Sequence, residues 1–157
     1  MFSNFFKRNK KTTEIPQIEE TYSLAEMKQE GKPYILRFRE NQEQIAKSGK
    51  YPYQMGLATP LLKSDNNGFP LKEENEQLIN MEEILMYEFA KNDVAIFVGA
   101  ITGGGMKEFV FYTGKPQEAS AIFKKLKHEI KHHALQYVIQ KDPQWTIYKT
   151  YGPRENN

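Results

Sequence analysis

The sequence His128-Glu129-Ile130-Lys131-His132 carries the spacing of a known catalytic device. On a helix, two histidines four residues apart share a face and can hold zinc, while the intervening glutamate activates a bound water. Its setting argues against that chemistry. With Leu126 at the centre of the apolar stripe, His128 and His132 fall at roughly 200° and 240°, on the solvated face. Lys124, Lys125 and Lys131 share that face, their charge opposes a dication, and no His follows His133 to supply a third ligand. His133 falls within the apolar stripe and reads as a hydrogen-bonded histidine at the edge of the core. No metal site, catalytic residue or cofactor is therefore assigned.

Two further patterns fail on inspection. Gly99-Ala100-Ile101-Thr102-Gly103-Gly104 has the glycine gap of a phosphate loop, but Gly105 stands where the lysine must be and a strand follows instead of a helix. The segment reads as a glycine hairpin. Lys107-Glu108-Phe109-Val110-Phe111-Tyr112 resembles a base-stacking strand of an RNA-recognition fold. Glu108 would repel phosphate, and core burial explains the same aromatic pattern. There is no G-x-S-x-G elbow, and the absence of Cys removes thiolate nucleophiles, disulfides and cysteine-held metals.

Charge narrows the partners. The chain has 22 Lys and Arg against 20 Asp and Glu, a formal +2. Lys7, Arg8, Lys10 and Lys11 carry +4 of that, so residues 13–157 sum to −2. A mildly acidic body lacks the basic footprint of a phosphate-backbone binder, which excludes DNA and disfavours RNA. No apolar run approaches the ~20 residues of a membrane-spanning helix. Phe2, Phe5 and Phe6 precede the tail's cations, the reverse of a secretory signal. We expect a flexible basic N-terminal tail over 1–20, a single domain over 21–151, a C-terminal tail over 152–157, and a cytoplasmic location.

The elements follow from periodicity. Tyr22 and Leu24 alternate loosely with Ser23 and Ala25, and Glu30-Gly31 is a turn. Tyr34, Leu36 and Phe38 alternate with Ile35, Arg37 and Arg39 in a strand. Asn41 starts a short helix through Lys47, and a strand runs from Tyr53 to a stop at Pro60. Lys63 to Pro70 is a loop. Leu78, Met81, Leu85 and Phe89 mark a helix over 72–91, and Ala119 to Ala134 mark another over 117–135. Between them lie the strands 94–101 and 107–113. Tyr137 to Lys141 and Trp145 to Tyr151 read as two more strands.

The fold expected is an α+β two-layer sandwich: a ferredoxin-like βαββαβ unit extended by an N-terminal β-hairpin and a C-terminal strand. Residues 72–91 hold six Glu against two Lys, and 117–135 hold four Lys against two Glu, so the helices are electrostatically suited to lie side by side.

The stretches Lys32–Asn41, Gly49–Tyr53, Gly56–Leu61, Ala95–Gly99 and Glu108–Thr113 resemble the domain of unknown function 695 family over roughly Thr21 to Tyr151. The family has no established activity. Some members resemble fusions to a domain like the protein regulator B of ribonuclease E, itself a ferredoxin-like sandwich, which by analogy implies a regulatory or binding role.

The binding site expected from the sequence rests on period-two geometry. If Tyr34, Leu36 and Phe38 face the helices, Arg37 and Arg39 face away, beside Gln54, Gly56 and Ala58 of the next strand. That makes a shallow basic depression with Tyr112 at its rim. The binding residues are then Arg37, Arg39, Gln54 and Tyr112, and the ligand is a small acidic molecule or an acidic patch of another protein. The function expected is a non-enzymatic regulatory or protein-binding domain. An RNA-binding module, an immunity-type inhibitor of a toxin and a small enzyme of unfamiliar chemistry are the alternatives.

Overall fold

The computed structural model describes residues 21–154. The expectations for residues 1–20, including Phe2, Phe5 and Phe6, and for residues 155–157 lie outside the described residues.

Within them, β1 (Tyr22–Gln29), β2 (Lys32–Arg39), β3 (Tyr53–Pro60), β4 (Ala95–Gly103), β5 (Met106–Thr113) and β6 (Gln136–Lys141) form one antiparallel sheet in the order β1-β2-β4-β5-β3-β6. The helices are α1 (Glu43–Lys47), α2 (Lys72–Ala90), α3 (Pro116–Glu129) and α4 (Thr146–Tyr151). Two tight turns set the register. Glu30 and Gly31 (φ 53° and 77°) join β1 to β2, and Gly104 and Gly105 (φ 60° and 76°) join β4 to β5. Paired left-handed residues give a two-residue turn the twist of its strands.

Both long helices pack on one face of the sheet. Met81, Leu85 and Phe89 of α2 and Ala119, Phe123 and Leu126 of α3 close over Met55, Leu57, Phe97, Phe109 and Phe111. The other face is also covered, which corrects the two-layer expectation. Leu36, Phe38, Val98, Val110 and Tyr112 pack there with Trp145 and Tyr148, and Ala46 of α1 and Ile147 of α4 complete the cluster. Fully burying a large apolar side chain contributes roughly 1.5–3 kcal/mol, so this face is a second core.

That second core overturns the strand expected over Trp145 to Tyr151, where the chain forms α4. The Asp142 carboxylate accepts from the N–H groups of Thr146 (2.7 Å) and Ile147 (3.1 Å), and Trp145 enters the helix in a left-handed conformation, φ 55°. A carboxylate that satisfies the first free N–H groups of a turn favours helix over strand. The helix expected to reach Leu135 ends instead at Glu129. Ile130 is extended, and His133 turns inward to the Glu74 carboxylate.

The strand β2 presents the face opposite to the one expected. Leu36 and Phe38 pack beneath α4, and Arg37 points toward α2. Alternation fixes which residues are opposed but not which layer each meets. Gly99 decides part of this: a Cβ there would collide with the Phe38 ring and the Arg37 carbonyl, so only glycine lets Phe38 lie across β4.

Candidate functional site

Charged groups are buried where β2, β4 and β5 pass beneath the N-terminal half of α2. The inner stripe of that helix is apolar but for two carboxylates, Glu74 in its first turn and Glu82 in its middle, and Glu82 is 1% exposed. Two registers bring cations to it. Arg37 lies level with Ala100 and Phe109 across the three strands, and Ile35 lies level with Thr102 and Lys107. Lys107 therefore sits on the same face as Arg37, one side-chain row along.

The two cations are bound differently. Arg37 donates from Nη2 to Glu82 Oε1, and its guanidinium lies over the rings of Tyr22 and Phe97, 4.9 and 5.8 Å from their centroids. Lys107 is 7% exposed, and its ammonium stands 5.7 Å from the Phe109 ring centroid. It makes no hydrogen bond or ion pair among the described residues. No fully enclosed polar side-chain atom there lacks a partner, so this ammonium reaches open space. That space is a cavity of about 350 Å³, to which Arg37, Lys72, Asn75, Thr102 and Lys107 contribute its polar side.

Burial governs the protonation of this cluster. It pushes the Lys107 ammonium below its ordinary value, with Glu82 opposing and Arg37 reinforcing the shift. It pushes the Glu82 carboxyl up, against the pull of Arg37, Lys107 and Arg39. Two carboxylates elsewhere are held below their usual range. Burial raises Glu74, but bonds from His133 and from the Lys63 and Leu62 N–H groups outweigh it. Asp142 is likewise raised by burial and lowered further by Tyr112, Thr146 and Ile147.

The four residues expected to form one site are divided between the faces. Arg37 lines the cavity. Arg39 is on the same face, with Nε donating to the Tyr22 hydroxyl (3.3 Å) and its guanidinium 5.7 Å from the Phe97 centroid, outside the cavity lining. Gln54 and Tyr112 face the other way. Gln54 is buried and accepts from Gln140 (3.0 Å), and Tyr112 is buried under Trp145, with ring centroids 4.0 Å apart. The expected depression of Arg37, Arg39, Gln54 and Tyr112 is thus not assembled, because β2 is turned over relative to that expectation and β4 and β5 lie between β2 and β3. Glu82 and Lys107 went unidentified, although both had a signal. Glu82 interrupts the stripe running from Leu78 to Phe89, and Lys107 shares its strand face with Phe109 and Phe111.

The remaining candidates are simpler. His128 and His132 are exposed, and no group of three metal-ligating side chains occurs among the described residues. A larger hollow of about 670 Å³ lies between α1 and α4, but its cations Lys47, Lys149 and Arg154 are exposed and solvated. No helix of the described residues is long and apolar enough to cross a membrane.

No curated protein matches the chain. The profile of one family covers residues 20–151, which include every strand, every helix and the whole cavity described above, and the chain accordingly belongs to the family of unknown function DUF695.

Proposed function

We propose that this domain is a non-enzymatic binding module that takes an acidic ligand, or an acidic group of a partner protein, at the cavity lined by Arg37 and Lys107. The observation that carries the reading is Lys107: a lysine 7% exposed whose ammonium has no hydrogen-bond acceptor among the described residues and reaches open space. Covering such a group without supplying an acceptor costs roughly 1–3 kcal/mol or more, whereas an anion in the cavity supplies the acceptor. The other buried ionisable groups are engaged in bonds that hold the fold: Glu74 with His133, Glu82 with Arg37, and Asp142 with Tyr112. That supports binding over turnover. Phe109, Phe111 and Tyr112 of β5 are fully buried and offer no stacking surface to RNA.

A ferredoxin-like scaffold belongs to the same proposal. The chain order β3-α2-β4-β5-α3-β6, the sheet order β4-β5-β3-β6 and the shared face of the two long helices support it. A cytoplasmic setting fits the absence of Cys.

The test is thermal melting against a panel of anions. A ligand at 100 times its Kd stabilises by about 2.7 kcal/mol, which for a domain of this size raises Tm by roughly 5–10 °C. Wild type is expected to show such a rise with at least one anion, and Lys107→Met is expected to lose it. If no anion at tens of millimolar shifts wild type, or if the variant responds equally, the reading is wrong.

A further inference from the structure

We infer that the cavity accepts a small free monocarboxylic acid with an apolar body, its carboxylate held by Lys107 and its body lying against Leu24, Ile35 and Phe69. This rests on the acidic-ligand reading above and narrows it. Three observations support it.

The first is charge. Of the charges around the cavity, Lys107 and Glu82 are buried and Arg37 is partly exposed; Glu82 is bonded to Arg37, and Arg39 stands outside the cavity lining. One positive charge is left over, and it matches a monoanion. A phosphate dianion or a dicarboxylate placed there would leave its second negative charge uncompensated against the apolar wall, which is costly. Lys72 at the cavity is exposed and already solvated, so it offsets little of that cost.

The second is the wall. Leu24, Ile35, Phe69, Pro70 and Ala100 form the apolar side of the cavity. Leu24 is 73% exposed and Ile35 is 39% exposed. These side chains, on paired strands beside a buried cation, remain in water until something apolar covers them. An inorganic anion would not, whereas the body of an organic acid would. The third is size. A volume of about 350 Å³ lies at the low end of the roughly 300–1,000 Å³ typical of small-molecule sites, which suits a small organic acid. Thr102 and Asn75 line the same cavity and supply polar partners for the second carboxylate oxygen.

Calorimetric titration of the full chain with isovalerate and phenylacetate, and with their uncharged amides, tests the assignment. The acids are expected to bind wild type, and the amides to bind about 10- to 100-fold more weakly, the span of a charge-assisted hydrogen bond. Lys107→Met is expected to weaken the acids by a similar factor while leaving the amides unchanged. Lys107→Gln serves as a second variant should the first fail to fold. Tighter binding of phosphate or succinate than of the monocarboxylates overturns this inference and leaves the acidic-ligand reading standing. So does tighter binding of a leucine-terminated peptide than of the free acid. Failure of every anion to bind overturns both.

Discussion

Beneath α4 the Asp142 carboxylate accepts from the Tyr112 hydroxyl (2.6 Å) and from the N–H groups of Thr146 and Ile147, while Trp145 stacks on Tyr112 and donates from Nε1 to the Tyr51 carbonyl (2.9 Å). Beneath α2, on the opposite face of the same sheet, Arg37 and Glu82 are paired and Lys107 has no acceptor among the described residues. Both regions bury polar groups, yet the first satisfies each of them from within the chain and the second does not. A complete network fixes one conformation and stabilises it. An incomplete one costs stability, and is best understood as a place where an external group completes the bonding. Comparable burial thus conceals opposite contributions to folding.

The largest expected effect breaks the complete network. Asp142→Ala leaves the Tyr112 hydroxyl and two helix N–H groups without an acceptor, and is expected to cost about 3–5 kcal/mol in chemical denaturation. Its pH dependence has a definite sign. The folded Asp142 carboxyl is held below its ordinary 3.8, so its contribution is present above that value and is lost as pH falls through the depressed folded value. The gap between wild type and Asp142→Ala is therefore expected to narrow below pH 3.8. A constant gap down through that range would show that the carboxylate's charge is not what matters.

Two substitutions in the incomplete cluster sharpen the comparison because they are expected to differ in sign. Glu82→Ala removes the carboxylate to which Arg37 donates and is expected to cost about 2–3 kcal/mol, toward the low end for a broken buried pair because Arg37 is partly exposed. Lys107→Met replaces an ammonium with an apolar chain of similar length and is expected to stabilise by about 1 kcal/mol, raising Tm by about 2–4 °C. Because burial depresses the Lys107 pKa, the folded state gives up that proton before the unfolded state does. The gain from Lys107→Met is then full below the depressed value and shrinks as pH rises from it toward the ordinary 10.5. Equal destabilisation by both substitutions would make the cluster an ordinary structural network.

How much of this the sequence discloses depends on the range of the interaction. The strands β2 to β5 and both long helices announce themselves through local periodicity, and so does the β4–β5 hairpin through its glycines. Trp145 to Tyr151 did not, because seven residues rich in aromatic and β-branched side chains satisfy the strand pattern. Their helical state depends on Asp142 and on Tyr112, which lies far away in the sequence. The same holds for β2. Its alternation is plain, but the layer that Arg37 meets is decided by Gly99, Glu82 and Trp145, each on a different element. The charge cluster was partly legible: Glu82 and Lys107 both occupy positions where period alone demands an apolar residue, and a charge that obeys a core period is a buried charge or an error in the period.

The smallest expected effect concerns the histidines whose spacing first invites a metal. The His128-Glu129-Ile130-Lys131-His132 pattern places ligands together only if one helix spans it, since four residues bring side chains onto one face through a full turn. The helix α3 stops at Glu129, and Ile130 is extended with φ −82° and ψ 102°, so His128 is in the last turn and His132 lies beyond it. Both are exposed, whereas His133 is buried against Glu74. The double variant His128→Ala, His132→Ala is therefore expected to change stability by no more than about 0.5 kcal/mol, as for surface positions without special contacts. Stoichiometric zinc is expected to raise the Tm of wild type no more than that of this variant. A zinc-dependent rise confined to wild type would require the chain from Ile130 to His132 to wind into α3. It would also pull His133 away from Glu74, a rearrangement visible as loss of protection at the Leu62 and Lys63 amides that the same carboxylate holds.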